Sequence, residues 1–228
     1  MLRMSADEWR AEQEHKKLVE SIKANAQTRY EFFGGVDLGK TQDSTAVAII
    51  ERKTTKTKTG DEVQTGLKFL AQIKPGRTYT EQVAALETLF SCAAFKLWGM
   101  SSLIDASGVG EPVADMLAER KIINFKRAQI TSGDGVSQKR GRIYASRNSL
   151  IGGLSKALRT DKLKISADLP LISELIGELS GIGEERAKSG ASVYRTSGHD
   201  DLVMALALAA LAMERKDRAP RTGVTTLF

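Results

Sequence analysis

Hydrophobic and polar positions change rhythm along this chain, and each change marks an element. Residues 5–27 are polar and charged, with sparse apolar positions at Trp9, Leu18, Val19 and Ile22, and predict a charged helix. Phe32 to Leu38 and Thr45 to Glu51 are apolar runs that predict two strands. Residues 53–62, KTTKTKTGDE, read as a polar turn, and Thr65 to Ile73 returns as a third strand. The opening is therefore an antiparallel meander. Pro75 and Gly76 break the chain, after which Val83, Leu86, Leu89 and Phe90 recur at helical spacing and predict a helix over 80–97.

Ser102 to Asp105 predicts a short buried strand, 111–120 a helix, and Ile122 to Phe125 another strand. Pro112 falls in the first turn of that helix, where its missing N–H costs nothing. Residues 131–142, TSGDGVSQKRGR, are polar and glycine-containing and are expected to form a mobile loop. A helix over 143–159, an extended piece at Leu163 to Ile165, a helix from about Pro170 to Leu179 and a short strand at Val193 and Tyr194 follow. The last helix, 200–215, contains LVMALALAALAM, and the tail from Asp217 is expected to be disordered. Three strands, then helices alternating with short buried strands, imply the α/β class with a mixed β-sheet flanked by helices. The expected organisation is a helical extension over 1–29, one domain over 30–215 and a flexible tail over 216–228.

Composition narrows the class. A chain of 228 residues suffices for one α/β domain with a sizeable core. Its 34 Lys and Arg against 28 Asp and Glu, net +6, favour an anionic partner such as nucleic acid. The single cysteine, Cys92, excludes an intramolecular disulfide and a cysteine zinc site, and a reducing compartment is the default. The first ten residues lack an apolar signal core, and Leu202 to Met213 is too short to span a bilayer. The expectation is a soluble intracellular protein.

Candidate chemistry lies in three acidic positions where core logic would not put a carboxylate. Asp37 ends an apolar strand in GGVDLG, Asp105 ends SSLID, and Asp200 and Asp201 open the apolar last helix directly after His199. A carboxylate at the end of a buried strand is costly unless paired, hydrogen-bonded or on a metal. Neighbouring strand ends in a mixed sheet can bring Asp37 and Asp105 together, with the helix N-terminus presenting Asp201 to the same point. Oxygen-only ligands of this kind suit Mg²⁺ or Mn²⁺, one or two ions. Each residue alone also has a plain reading: a turn-forming Asp, or, for Asp200, a helix N-cap.

The segment GGVDLGKT, residues 34–41, satisfies the P-loop pattern, but β-branched extended sequence follows it where a phosphate-holding helix is required. Between Lys121 and Arg147 lie Lys126, Arg127, Lys139, Arg140 and Arg142, with Asp134 the one acid. Together with Arg147 they form a candidate phosphate-contacting edge. The hairpin lysines Lys53, Lys56 and Lys58 offer a second contact or simple solubility. His15 reads as solvated, whereas His199 sits beside the acids, where it could orient an aspartate, position water or be a plain turn residue.

GVDLGKTQDSTAVAII, LIDASGVGEPVADML and GHDDLVMALALA resemble, in order, the three blocks of the nuclease domain of phage terminase large subunits, over residues 32 to 214. LRTDKLKI, residues 158–165, also resembles a short motif preceding the last helices of that family. The resemblance implies an RNase H-like fold and metal-dependent DNA cleavage. Asp37 and Asp43 match the two acids of the first block, Asp105 the acid of the second, and His199, Asp200 and Asp201 the third. It implies Asp37, Asp105 and Asp201 as catalytic metal ligands, with Asp201 preferred to Asp200, Asp43 and Asp200 as further metal-site residues, and His199 in support. It further implies double-stranded DNA as substrate, and an ATPase motor domain, small terminase and portal protein as partners in the host cytoplasm. Nothing in the chain is long enough to be the ATPase domain, so an excised or standalone nuclease domain is expected. Holliday-junction resolvases share the core and are the enzymatic alternative. Sugar kinases and actin-like ATPases share it too but are usually larger. A non-catalytic DNA-binding module would not need the acidic cluster.

Overall fold

The computed structural model describes residues 16–17, 19–21, 23, 26–39, 43–108, 110–121, 124–132, 134–186 and 192–218. The helix expected over 5–27 lies largely outside them, as does the expected tail from 219 onward, whereas Asp217 and Arg218, expected in that tail, are helical, Asp217 being held by Arg52. The meander forms as β1 (Thr28–Asp37), β2 (Thr45–Thr57) and β3 (Gly60–Ile73). Its two-residue turn lies at 58–59, so the stretch expected as a long turn is mostly hairpin. Two helices, α1 (Tyr79–Phe90) and α2 (Ala93–Trp98), replace the single one expected over 80–97. Thr78 and Glu81 start α1 with a capping box, and the Ser91 hydroxyl donates to the Thr88 carbonyl and ends it.

Next come β4 (Met100–Asp105), α3 (Gly110–Arg120), β5 (Phe125–Thr131), β6 (Val136–Lys139) and β7 (Arg142–Ser146). The segment expected as a mobile loop is thus a hairpin. Arg140 at φ 48° and Gly141 at φ 81° form its turn, and two left-handed residues match the twist of the flanking strands. Ile143 and Ala145, expected in a helix, are buried strand positions. The chain then continues through α4 (Arg147–Arg159), β8 (Lys164–Ile165), α5 (Ile172–Ser180), β9 (Ile182–Arg186), β10 (Ser192–Thr196) and α6 (Asp201–Arg218).

Eight strands form one mixed sheet in the order β6-β7-β5-β4-β1-β2-β3-β8, and β9 and β10 form a separate hairpin. β4 runs parallel to β1, β5 to β4 and β7 to β5. Alternate residues feed the two faces. Phe33, Ala48, Ile50, Leu103 and Ile143 join the core under α4, α5 and α6, while Phe32, Val36, Ile49 and Ile104 join the one under α1 and α3. Twelve consecutive residues of α6, Leu202 to Met213, are buried, because the helix is enclosed by the sheet, α4 and α5. Among the described residues no helix is long and apolar enough to cross a membrane.

Candidate active site

The sheet itself aligns the first two carboxylates. Parallel pairing sets Val36 beside Ile104, so the next residues, Asp37 and Asp105, stand side by side on adjacent strand ends, about 4.8 Å between strand axes. Both follow the parity of Phe33 and Leu103 and so rise on the α6 face. Asp105 is 9% exposed. One of its oxygens accepts from the Ser107 N–H at 2.9 Å and the Ser107 hydroxyl at 2.6 Å, and the same hydroxyl accepts the Ile130 N–H at 3.0 Å.

Gly35 brings in the third. A Cβ there would lie 1.9 Å from the Ala205 carbonyl oxygen and 2.5 Å from the Ala209 nitrogen, so only glycine lets the α6 backbone rest directly on β1. Asp201 precedes Ala205 by about one helical turn, and Asp37 follows Gly35 by two residues. The start of α6 therefore overhangs the end of β1. The Ser44 N–H donates to Asp201. Farther back, the Thr45 hydroxyl accepts the Gly39 N–H at 3.0 Å and donates to buried Gln82 at 3.1 Å, fixing both ends of the loop after β1. This loop leads into a strand, so the P-loop reading of residues 34–41 fails for want of a helix.

Adjacent acids have different fates. Asp200 caps α6 through its carbonyl, which accepts the Met204 N–H at 2.8 Å. Its side chain turns to Arg147, with which it forms an ion pair, and to the Thr196 hydroxyl at 3.1 Å. Arg147 also donates to Thr196. Arg147, expected on a basic edge, thus stands at the carboxylate site and ties α4, β10 and the start of α6 together. Asp43 and His199 are exposed, and their charges act on Asp201.

One participant carried no sequence signal. Glu178 of α5 accepts the Val203 N–H at 3.0 Å and the Leu202 N–H, and its charge reaches Asp37. No local pattern marks it, because it meets the other acids only through the packing of α5 on α6.

The electrostatics bind these residues into one site. Burial, then the charges of Asp105 and Asp201, push the Asp37 carboxyl up from 3.8 to about 8, against the opposing pull of Arg147. Burial also raises Asp105, although the Ser107 bonds oppose it. Asp201 is raised by burial and Asp43, against His199 and the Ser44 N–H. Glu178 is raised by burial and by Asp201, against its backbone donors and His199. Among the described residues, no three acidic, histidine or cysteine side chains form a ready-made metal cage. The donors nevertheless fit a hard divalent cation: they are oxygens, they are crowded, and their charges disfavour one another's ionisation.

The basic positions do not form one edge. Arg142 grips Glu111 with two bonds of 2.8 and 2.7 Å, and Arg127 pairs with both Glu111 and Asp115. These two are compensated rather than free. Lys126 lines a cleft of about 870 Å³ between α4, α6 and the sheet, beside Ser101 and Asn124 at the starts of β4 and β5, the end away from Asp105. Lys139 and Arg140 are exposed at the tip of the β6–β7 hairpin.

Fold and site define an α/β protein with a mixed sheet flanked by helices and acidic side chains at two parallel strand ends. No protein-family model matches the chain. It is 27% identical over 186 residues to the terminase large subunit of Thermus virus P23-45, and equally to that of Thermus phage G20c. The match covers 80% of this chain and 32% of each relative, so the chain spans about a third of the length of the curated relatives it matches. Its fold is similar to that of the large terminase nuclease from thermophilic phage G20c, solved with bound magnesium, at TM-score 0.52 and 24% identity over 80% of this chain and 81% of that one. The cobalt-bound form of that nuclease gives TM-score 0.53 at 23% identity over the same shares, 80% and 81%. The Thermus phage P74-26 large terminase nuclease domain gives TM-score 0.50 at 23% identity over 79% and 78%. The fold is RNase H-like, as the resemblance implied.

Proposed function

We propose that this chain is the nuclease domain of a viral DNA-packaging terminase, a divalent-metal-dependent endodeoxyribonuclease that cuts concatemeric double-stranded DNA. The observation that carries the reading is the meeting of Asp37, Asp105 and Asp201 from three elements in one electrostatic site, with Asp37 pushed up to about 8. The relatives and their magnesium- and cobalt-bound structures support it. Asp37, Asp105 and Asp201 hold one or two Mg²⁺ or Mn²⁺ ions, with Asp43 and His199 in support. Asp200, spoken for by Arg147, serves as a clamp. When bound, such an ion supplies Lewis acidity toward a phosphodiester and lowers the pKa of water. The carboxylates orient the site, the Ser107 hydroxyl and N–H hold Asp105 in place, and Arg147 balances part of the negative charge. Lys139 and Arg140 contact DNA phosphates, with Lys126 farther away. The nuclease unit runs over 30–218, since α6 extends past 215. In the assembled motor, in the host cytoplasm, it works with an ATPase domain, small terminase and portal protein.

Plasmid nicking at low salt with Mn²⁺, Mg²⁺ or EDTA tests the reading. Metal-dependent nicking should fall by about two orders of magnitude or more in Asp105→Ala, with melting and DNA binding retained. Nicking by that variant at the wild-type rate, or none by the wild type under any metal, overturns it.

A further inference from the structure

We propose that Glu178 is a positioning residue for the nuclease site, the clamp that fixes the start of α6 and with it Asp201. The proposal rests on Asp201 as a metal ligand. A helix opens with N–H groups that have no partner inside it, and an N-cap side chain normally takes one or two of them. In α6 that task should fall to Asp200. Its carboxylate is instead engaged by Arg147 and Thr196, and the bonds to Leu202 and Val203 pass to Glu178, from another helix.

The anchor is itself well held. Leu175, about one turn before Glu178 on α5, is fully buried in the core beneath α6. At the end of α5 the Gly181 carbonyl accepts the Ser197 N–H at 3.1 Å. Helix α5 thus grips the chain on both sides of the 198–201 segment, once before His199 and once after Asp201. With the grip on Leu202 and Val203 gone, those two N–H groups lose their acceptor. The start of α6 is then held by the bonds of Asp200 to Met204, Arg147 and Thr196 and by the Ser44 N–H on Asp201, and the place of Asp201 beside Asp37 is less firmly fixed.

Two features of Glu178 can be separated: its reach to the two N–H groups, and its charge. Glu178→Gln keeps the reach and an accepting oxygen but not the charge. Glu178→Asp keeps the charge but not the reach. Mn²⁺ is the probe, read by thermal stabilisation of the whole chain and, separately, by plasmid nicking. Positioning by reach predicts that Glu178→Gln needs Mn²⁺ within about twofold of wild type, whereas Glu178→Asp and Glu178→Ala need about tenfold more in both readouts. An unchanged Mn²⁺ midpoint in Glu178→Asp and Glu178→Ala overturns the proposal, leaving a cap of structural value only. A Gln variant as impaired as the Asp or Ala variant also overturns it, because charge would then be what matters. A wild type that Mn²⁺ neither stabilises nor activates removes the nuclease reading itself, and this proposal with it.

Discussion

Carboxylates in two regions of this molecule meet opposite electrostatic fates. Glu111, in the first turn of α3, is gripped by Arg142 and Arg127, and these bonds hold its carboxyl below the usual range. Asp37, Asp105, Asp201 and Glu178 are all raised, and Arg147, the one cation acting on Asp37 among the described residues, is also shared with Asp200. The first group is complete as folded: acid and base are matched and hydrogen-bonded. The second gathers acids whose ionisation burial and mutual repulsion disfavour, with little positive charge to offset it. Under the proposed function that imbalance is what an outside cation would relieve, whereas a count of acidic residues would not distinguish the two groups.

The most drastic way to break the comparison is Gly35→Ala. The new methyl would press on the α6 backbone at Ala205 and Ala209, which cannot yield as a side chain tip can. Displacing α6 should cost about 3 kcal/mol or more, readable as a fall in Tm of roughly 6–12 °C. Nicking should drop by about a hundredfold or more, because Asp201 travels with the helix. The Glu111 network, built on α3, β5 and β7, does not touch this contact. A variant with wild-type Tm and nicking would show that α6 does not depend on its seat on β1.

What could be read from the sequence follows the same division. Asp37, Asp105 and Asp201 were legible as candidates because the first two end apolar runs and the third opens one, and a carboxylate there needs a reason. The meander and the buried last helix were legible from periodicity alone. The β6–β7 hairpin was not. All four residues of β6 are exposed, and the left-handed Arg140 gives its turn no conventional glycine or asparagine at that position. The split of the helix over 80–97 at Ser91 and Cys92 likewise lacks a proline or glycine to announce it. The roles of Arg147, Arg142 and Glu178 were illegible for a deeper reason. Each depends on a partner at least 25 residues away: Asp200 for Arg147, Glu111 for Arg142 and Val203 for Glu178. A basic cluster in sequence therefore came apart in space, with one arginine at the acids and two on Glu111.

Acidity sharpens the contrast. A carboxyl raised from 3.8 to about 8 binds its proton more tightly in the folded chain than in the unfolded one. Its stabilising contribution is fully present below about pH 4 and is lost as pH rises through about 8. In EDTA, stability should therefore decline between pH 5 and 8.5, by on the order of a few kcal/mol. Mn²⁺ should restore much of it at the alkaline end, and Asp37→Asn should flatten the decline. Glu111 is lowered, so its contribution has the opposite sign: present above its ordinary range near 4.5 and lost as pH falls. Thermal melts across pH, with and without Mn²⁺, read both. An EDTA profile that is flat for wild type would mean that Asp37 is not held protonated by burial and its acidic neighbours.

The smallest expected effect comes from Glu111→Gln. The pair partners are a quarter to a third exposed, with side chains at 33% for Glu111 and 25% for Arg142, so solvent already screens much of their attraction. The loss should be about 1 kcal/mol. Nicking should stay within about twofold of wild type, since Glu111 holds no ion in this reading. Arg127 keeps Asp115, but Arg142 loses its ion-pair partner, which leaves more positive charge near the hairpin that carries Lys139 and Arg140. DNA affinity at low salt should therefore hold or rise, with a salt dependence steeper by about one counterion at most. If Glu111→Gln instead abolishes cleavage while the fold and DNA binding persist, the matched network belongs to the chemistry, and the distinction between complete and incomplete carboxylate groups does not locate the site.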